Sequence, residues 1–314
     1  MQVAFVKCHG SGNDFPLIDA RAMALAESDW ATLARLLADR DGPVGGDGLL
    51  ALFPGDAEHG FAMRMWNSDG TEAETCLNGL RCVSRLGFEA LGIDAARVRL
   101  KTSSVEVARA PAIAPGVTTI RTRAAPASTR AADIPLAAGL DAAVDVVIPG
   151  VPSSRSFTAV AIPNPHLIAF VDRIDEDELV ALGHWAESAP PELPRRANIS
   201  FVELRGEAIY VRTFERGVGL TDSCGSAMAA STYAAGLSGR QPFGQFLTVF
   251  NKGGRVRAMA EAPADGARVT IEGNATFLYD ATIEVDLAAG TAASPLIHAR
   301  REDEVRAWEA ALAA

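Results

Sequence analysis

The sequence predicts a two-domain α/β protein made of two similar halves, and three observations carry that reading. A chain of 314 residues exceeds a typical single domain, so two domains of roughly 100 to 200 residues are expected. Short apolar runs with strand character alternate with turns and helical stretches in both halves. One local order, strand, turn, cysteine, apolar helix, occurs twice.

The first half begins with the strand candidates QVAFVKCHG and PLIDA, followed by a helical stretch from Ser28 to about Arg40 and the strands GLLALF and FAMRMWN. From about Ala108 to Gly139 the composition shifts to Ala, Pro, Ser and Thr, which reads as a connection between domains. The second half offers DVVIPG, SFTAVAIP, HLIAFVD, ISFVEL and AIYVRTF, a second apolar helix, and then FLTVF, VRAMA and ARVTIEG. The tail EDEVRAWEAALAA reads as a terminal amphipathic helix, which offers a homodimer contact. The expected domains are 1–127, completed by 279–314, and 128–278.

Composition narrows the function classes. A formal net charge of −10 argues against a nucleic-acid footprint and against an anionic membrane surface, leaving small molecules or further copies of the chain as partners. The N-terminus lacks a basic stretch followed by an apolar run, and no segment has membrane-spanning length free of charge or proline, so a soluble, cytoplasmic protein is expected. Four cysteines, at 8, 76, 82 and 224, are too few for a disulfide framework and lack zinc-site spacing; reduced thiols are expected.

The repeated order gives two of those thiols a setting. Asn67 and Glu215 each end a strand candidate nine positions before a cysteine, Cys76 and Cys224, that opens an apolar helix. Unsatisfied N–H groups and the positive dipole end at a helix start favour thiolate. The same N–H groups can receive a carboxylate. Two such helix starts suit proton abstraction and return on opposite faces of one α-carbon. Cys82, within the helix beside Val83, and Cys8, within the first strand beside His9, read as packing.

The segments KCHGSGNDF, VGGDGLL, NSDGTEAETCLNG, IPNPH, RANISF and ERGVGLTDSCGSA form an ordered set across residues 1 to about 285. That set resembles diaminopimelate epimerase and the wider group of cofactor-independent amino-acid racemases. The resemblance implies two similar α/β domains, each a mixed sheet wrapped around a central helix, with the active site in the cleft between them. It implies Cys76 and Cys224 as a thiolate–thiol pair tuned by His166 and Glu215, and no cofactor or metal. Asn13, Asn67, Asn164, Asn198 and Arg216 match residues that hold the substrate's ammonium and distal carboxylate, and Glu215 also meets the α-ammonium. The amides of Leu77, Asn78, Gly225 and Ser226 match a cradle for the α-carboxylate. The implied reaction converts LL- to meso-diaminopimelate, a step toward lysine and peptidoglycan precursors.

Plainer readings stand beside these. Asn13, Asn67 and Asn164 precede turn-forming residues and serve equally as turn asparagines. His166 and His9 also read as core histidines, and Arg216 with Glu215 as a surface ion pair, although a guanidinium fork suits a carboxylate. Neither GSGND nor VGGDG fits a nucleotide-binding pattern. A pyridoxal-phosphate racemase needs a Schiff-base lysine, and the only lysines, Lys7, Lys101 and Lys252, lack a recognisable cofactor setting. The five histidines are scattered, which speaks against metal-assisted enolisation. Where the family carries Gly-Asn-Gly after the first cysteine, this chain has Leu77-Asn78-Gly79. Gly48 stands where some members carry glutamine, and Pro163 replaces a glycine. The extension past about residue 286 has no counterpart in the resemblance. These departures leave a racemase for another amino acid, histidine for example, and a non-catalytic binding or redox-responsive relative as alternatives.

Overall fold

The computed structural model describes residues 1–134, 136 and 139–313. The chain divides into two compact units, Met1–Thr122 with Glu272–Ala314 and Arg123–Ile271, against expected junctions at 127/128 and 278/279.

The first unit contains β1 (Gln2–Gly10), β2 (Asn13–Asp19), α1 (Glu27–Ala38), β3 (Gly48–Pro54), β4 (Phe61–Asn67), α2 (Leu77–Leu91), β5 (Ala95–Arg99), β6 (Ser104–Arg109) and most of β7 (Thr119–Arg123). In its sheet β1 pairs antiparallel with β2, β2 parallel with β3, β3 antiparallel with β4, β4 parallel with β5, and β5 antiparallel with β6. The second unit contains β8 (Thr158–Ile162), β9 (Asn164–Phe170), α3 (Glu176–Glu187), β10 (Asn198–Arg205), β11 (Ala208–Glu215), β12 (Gly219–Thr221), α4 (Gly225–Leu237), β13 (Leu247–Asn251), β14 (Gly254–Ala260) and the start of β15 (Val269–Asn274). Its pairings follow the same alternation: β8 antiparallel with β9, β9 parallel with β10, β10 antiparallel with β11, β11 parallel with β13, and β13 antiparallel with β14. A parallel pair requires a long crossover, and in each unit the two crossovers are helical: α1 and α2 in the first, α3 and α4 in the second.

The second crossover helix of each unit is the central one. α2 packs against β1, β2, β3, β4 and β6, and α4 against β8, β9, β10, β11, β13 and β14. Each sheet therefore curves around its own helix. α4 is buried almost all round, as its sequence GSAMAASTYAAGL demands: a helix with no polar stripe has no face for water, and small side chains let strands approach closely. α2 buries Leu80, Cys82, Val83 and Phe88 and ends at Gly92, whose φ of 66° suits a glycine and whose N–H donates to the Phe88 carbonyl at 2.9 Å. Cys8 and Cys82 are fully buried in the first unit, as packing residues would be.

α1 and α3 cover the outer faces of their sheets. Trp30 of α1 stacks on Trp66 of β4, with ring centroids 5.2 Å apart. In the second unit Leu179, Leu182 and Ala186 of α3 join Ile199, Phe201 and Phe214 in one core.

After β15 come β16 (Thr276–Asp286), β17 (Thr291–Ala292), β18 (Leu296–Arg300) and α5 (Glu302–Ala313). β16 lies antiparallel to β1, and β18 to β16. The tail helix forms as its pattern predicts, and it buries Trp308 and Ala311 against its own unit beside Val117. Glu304 holds the Arg85 guanidinium of α2 with both carboxylate oxygens, and Arg85 lies 3.8 Å from the Phe277 ring centroid.

Three sequence expectations shift. The first helix runs Glu27–Ala38 rather than from Ser28 to about Arg40. DVVIPG forms no strand: Asp145 adopts φ 52°, Pro149 has no N–H to give a ladder, and only Val146 makes an isolated bridge, to Phe157. The Ala/Pro-rich stretch is no simple exposed connection, because it contains β7 and sends Ile134 and Leu136 into the core of the second unit. Pro135, Ala137 and Ala138 of that stretch lie outside the described residues. Among the described residues no helix is long and apolar enough to cross a membrane.

Candidate active site

Each unit presents one cysteine at the start of its central helix. Cys76 is the N-cap of α2 and Cys224 the N-cap of α4, both with extended backbone, φ −149° and −124°. Asn67 ends β4 and Glu215 ends β11, the two residues singled out by the nine-residue spacing, with the short β12 intervening before Cys224.

In the first unit Cys76 is half-buried, and its Sγ accepts from the Gly79 amide at 3.3 Å. The Leu77 N–H has no acceptor within the helix, because the first turn has no preceding carbonyls. Leu77 itself is only 9 % exposed, so its side chain is largely withdrawn from solvent. Asn78 is buried and donates from Nδ2 to Asn13 Oδ1 at 3.1 Å, while Asn13 Nδ2 donates to Asp47 at 2.6 Å. Asp47 and Asp14 are bridged by Arg40, and Asp14 also pairs with the buried Lys7 at 2.6 Å. That network fixes which way the Asn13 amide faces. Asn67 is exposed and donates to Thr71 Oγ1 at 3.0 Å, holding the turn that follows β4. Its turn reading therefore stands alongside any substrate contact.

Two glycines set how closely these elements approach. A Cβ on Gly10 would lie 2.5 Å from the Asn78 carbonyl oxygen, so β1 meets the first turn of α2 only through a glycine. A Cβ on Gly48 would lie 2.4 Å from the Trp66 carbonyl oxygen, which bars the glutamine that some family members carry there unless β3 moves.

In the second unit Cys224 is buried, with Sγ 3.4 Å from Ser226 Oγ. The helix-start setting predicts a lowered thiol pKa, and the structure reverses that expectation. Burial raises the Cys224 thiol well above its ordinary value, and the Glu215 charge adds to the rise. Ser226 and the Ala227 amide pull the other way without prevailing. Cys224 is therefore held as a thiol at neutral pH. Glu215 accepts from Thr221 Oγ1 at 2.6 Å. Asn198, 3 % exposed, accepts from the Arg216 amide at 2.8 Å. The exposed Arg216 guanidinium donates to the Arg195 carbonyl at 3.1 Å, so the surface-pair reading with Glu215 does not describe its hydrogen bonding.

Asn164 opens β9 after Pro163 turns the β8–β9 hairpin, and its Nδ2 reaches Ser226 Oγ at 3.4 Å. His166, on the same strand and in register with Asn198, is fully buried. Burial, assisted by Arg216, lowers its pKa to about 3, so it is a neutral imidazole. Among the described residues neither His166 ring nitrogen nor Asn164 Oδ1 has a hydrogen-bond partner. Buried polar atoms rarely go unsatisfied, so these three, on one short strand, are open to a further polar partner. The second unit thus gathers Asn164, His166, Asn198, Glu215, Cys224 and Ser226, and the first gathers Asn13, Cys76, Leu77 and Asn78. His9, by contrast, is buried against Trp308 and Asn274 as a packing histidine, its pKa lowered to about 4 chiefly by burial.

Sequence reasoning missed Arg81, which is wholly buried one turn into α2. Its guanidinium donates to Ser11 Oγ at 2.9 Å, Asn78 Oδ1 at 3.1 Å, the Asn274 carbonyl at 3.0 Å and the Leu77 carbonyl at 3.5 Å. The available signal was a charged residue between Leu80 and Cys82 in a helix otherwise read as apolar.

A family model described as diaminopimelate epimerase matches residues 5–109 and 158–278. A diaminopimelate epimerase of Clostridium acetobutylicum is 37% identical over 290 residues, covering 91% of this chain and 87% of that protein. One from Listeria innocua is 36% identical over 293 residues, covering 90% and 89%. Among solved structures, a phenazine biosynthesis protein of the PhzF family from Bacillus anthracis superposes with a TM-score of 0.66 at 14% identity, covering 91% of this chain and 100% of that one. A hydroxyproline epimerase from Agrobacterium vitis, solved with bound trans-4-OH-L-proline, gives 0.63 at 13% identity, covering 100% and 98%. At such identities the structural likenesses establish the fold alone.

Proposed function

Because the chain belongs to the diaminopimelate epimerase family and is an isomerase of the epimerase class, we propose that it interconverts LL- and meso-diaminopimelate by proton transfer between Cys76 and Cys224, without a cofactor. The observation that carries the reading is that each unit N-caps its central helix with a cysteine at the same point of the same topology.

The Cys76 thiolate takes the α-hydrogen from one face as a proton, and the C–H electron pair passes into the α-carboxylate as an enediolate. The Cys224 thiol then gives its proton to the opposite face and is left as thiolate. Return in the other direction exchanges the two roles. Its raised pKa supports Cys224 as the proton donor of this pair. Amides at the two helix starts, those of Leu77, Asn78, Gly225 and Ser226, stabilise the charge developing on the α-carboxylate. His166 and Asn164 supply polar atoms that a bound substrate would satisfy, Glu215 faces the α-ammonium, and Asn13, Asn67, Asn198 and Arg216 serve the rest of the substrate.

Incubation with LL-diaminopimelate in D2O tests the reading. Deuterium at the α-carbon together with meso product is expected. Exchange with histidine but not diaminopimelate would transfer the activity to another amino acid, and exchange with no amino acid of a standard L-panel would defeat the proposed reaction.

A further inference from the structure

Burying a guanidinium without a carboxylate is costly, because the charge loses its hydration and gains only dipoles in return. Arg81 is in that position: it is fully buried, all its hydrogen bonds go to carbonyl, amide or hydroxyl oxygens, and among the described residues no carboxylate pairs with it. The charged groups around this turn do not supply the missing anion. Lys7 of β1 is paired with Asp14 of β2, which Arg40 shares. His9 of β1 is neutral near pH 7. On the loop before the helix Glu72 is engaged by Arg64 and Lys101, and Glu74 is exposed. Two thiols flank Arg81: Cys82, the next residue in the helix, and Cys76, the N-cap of the same first turn whose Leu77 carbonyl Arg81 holds at 3.5 Å. Cys82 lies buried against Cys8, whereas Cys76 is half-exposed at the helix start.

We propose that Arg81 is a positioning residue of the reaction: its buried, carboxylate-free guanidinium is the countercharge for the Cys76 thiolate and locks the first turn of α2. The lock is direct. Arg81 takes Asn78 Oδ1, which leaves Asn78 Nδ2 to reach Asn13, and it grips the Leu77 carbonyl from below while the Leu77 N–H remains at the open end of the helix. One cation thus favours the base and orients the turn whose amides meet the carboxylate. The inference rests on the reading of Cys76 as the base, yet its test needs no substrate.

Alkylation of the intact protein by iodoacetamide is followed against pH, with the Cys76 peptide resolved by mass spectrometry. In the unaltered chain Cys76 should titrate below an ordinary thiol, about 8.5, and below Cys224. Arg81→Met should raise the Cys76 titration by about one unit, slowing alkylation about tenfold at a fixed pH below it. Arg81→Lys, which keeps the charge but loses the fork, should restore most of the shift. A folded Arg81→Met with an unmoved Cys76 profile would overturn the proposal. Should that variant fail to fold, Cys76 of the unaltered chain titrating at or above an ordinary thiol overturns it equally. Failure of α-hydrogen exchange with a low Cys76 titration would count against the epimerase reading instead.

Discussion

His166 and His9 carry the acid sensitivity of the two units. Both fold with pKa values, about 3 and about 4, below the roughly 6.5 of an unfolded chain. Between those values the unfolded state binds protons that the folded state refuses, so stability falls as pH drops below about 6.5 and is fully present above it. At pH 5 each histidine is expected to cost about 2 kcal/mol. Urea unfolding at pH 5 and 7.5 measures the difference, and His166→Gln should remove roughly half of it. Equal stability at the two pH values would contradict the assignment. His166 is both kept neutral by burial and, among the described residues, without a hydrogen-bond partner at either ring nitrogen.

α2 and α4 are the elements that fix one cysteine in each unit, because each helix start carries the cysteine while the body is held by strands on several sides. For α2 the hold extends to the tail of the chain. Glu304 of α5 grips Arg85, and Trp308 closes over His9 and Val117. Trp308→Ala is expected to destabilise the chain by about 3 kcal/mol through the lost packing. Thermal unfolding should show a lowered midpoint, and an unchanged midpoint would mean that α5 is dispensable to its unit. The apolar face that the sequence offered for a homodimer contact is thus largely spent within the chain, while Leu312 stays exposed.

At the scale of the molecule, the alternation of antiparallel and parallel pairs repeats from β1–β6 to β8–β14, with the helices falling between corresponding strands. The proposed two-thiol reaction draws on that repetition, with one cysteine from the helix start of each unit. Cys76→Ala and Cys224→Ala are each expected to abolish epimerisation, followed by polarimetry or by chiral separation of the product. Either variant keeping full turnover would contradict a two-base mechanism.

The sequence alone was enough to determine the two-half α/β architecture and that a cysteine opens the central helix of each half. Strand and helix periodicities are local, and the nine-residue spacing from Asn67 to Cys76 and from Glu215 to Cys224 is written in the chain. Wherever burial or a distant partner decided the outcome, only the tertiary structure could speak. A helix start by itself predicts a lowered thiol pKa, but the desolvation that raises Cys224 depends on everything packed around it. The departure at Gly48 reflects the approach of the Trp66 carbonyl, and Ile134 left a seemingly polar connection for a core. Arg81 was legible only as an arginine in an apolar run. That it lies buried beneath the Cys76 turn, held by Ser11 just past β1 and by Asn274 at the end of β15, follows from distant parts of the chain meeting α2, which no local pattern encodes.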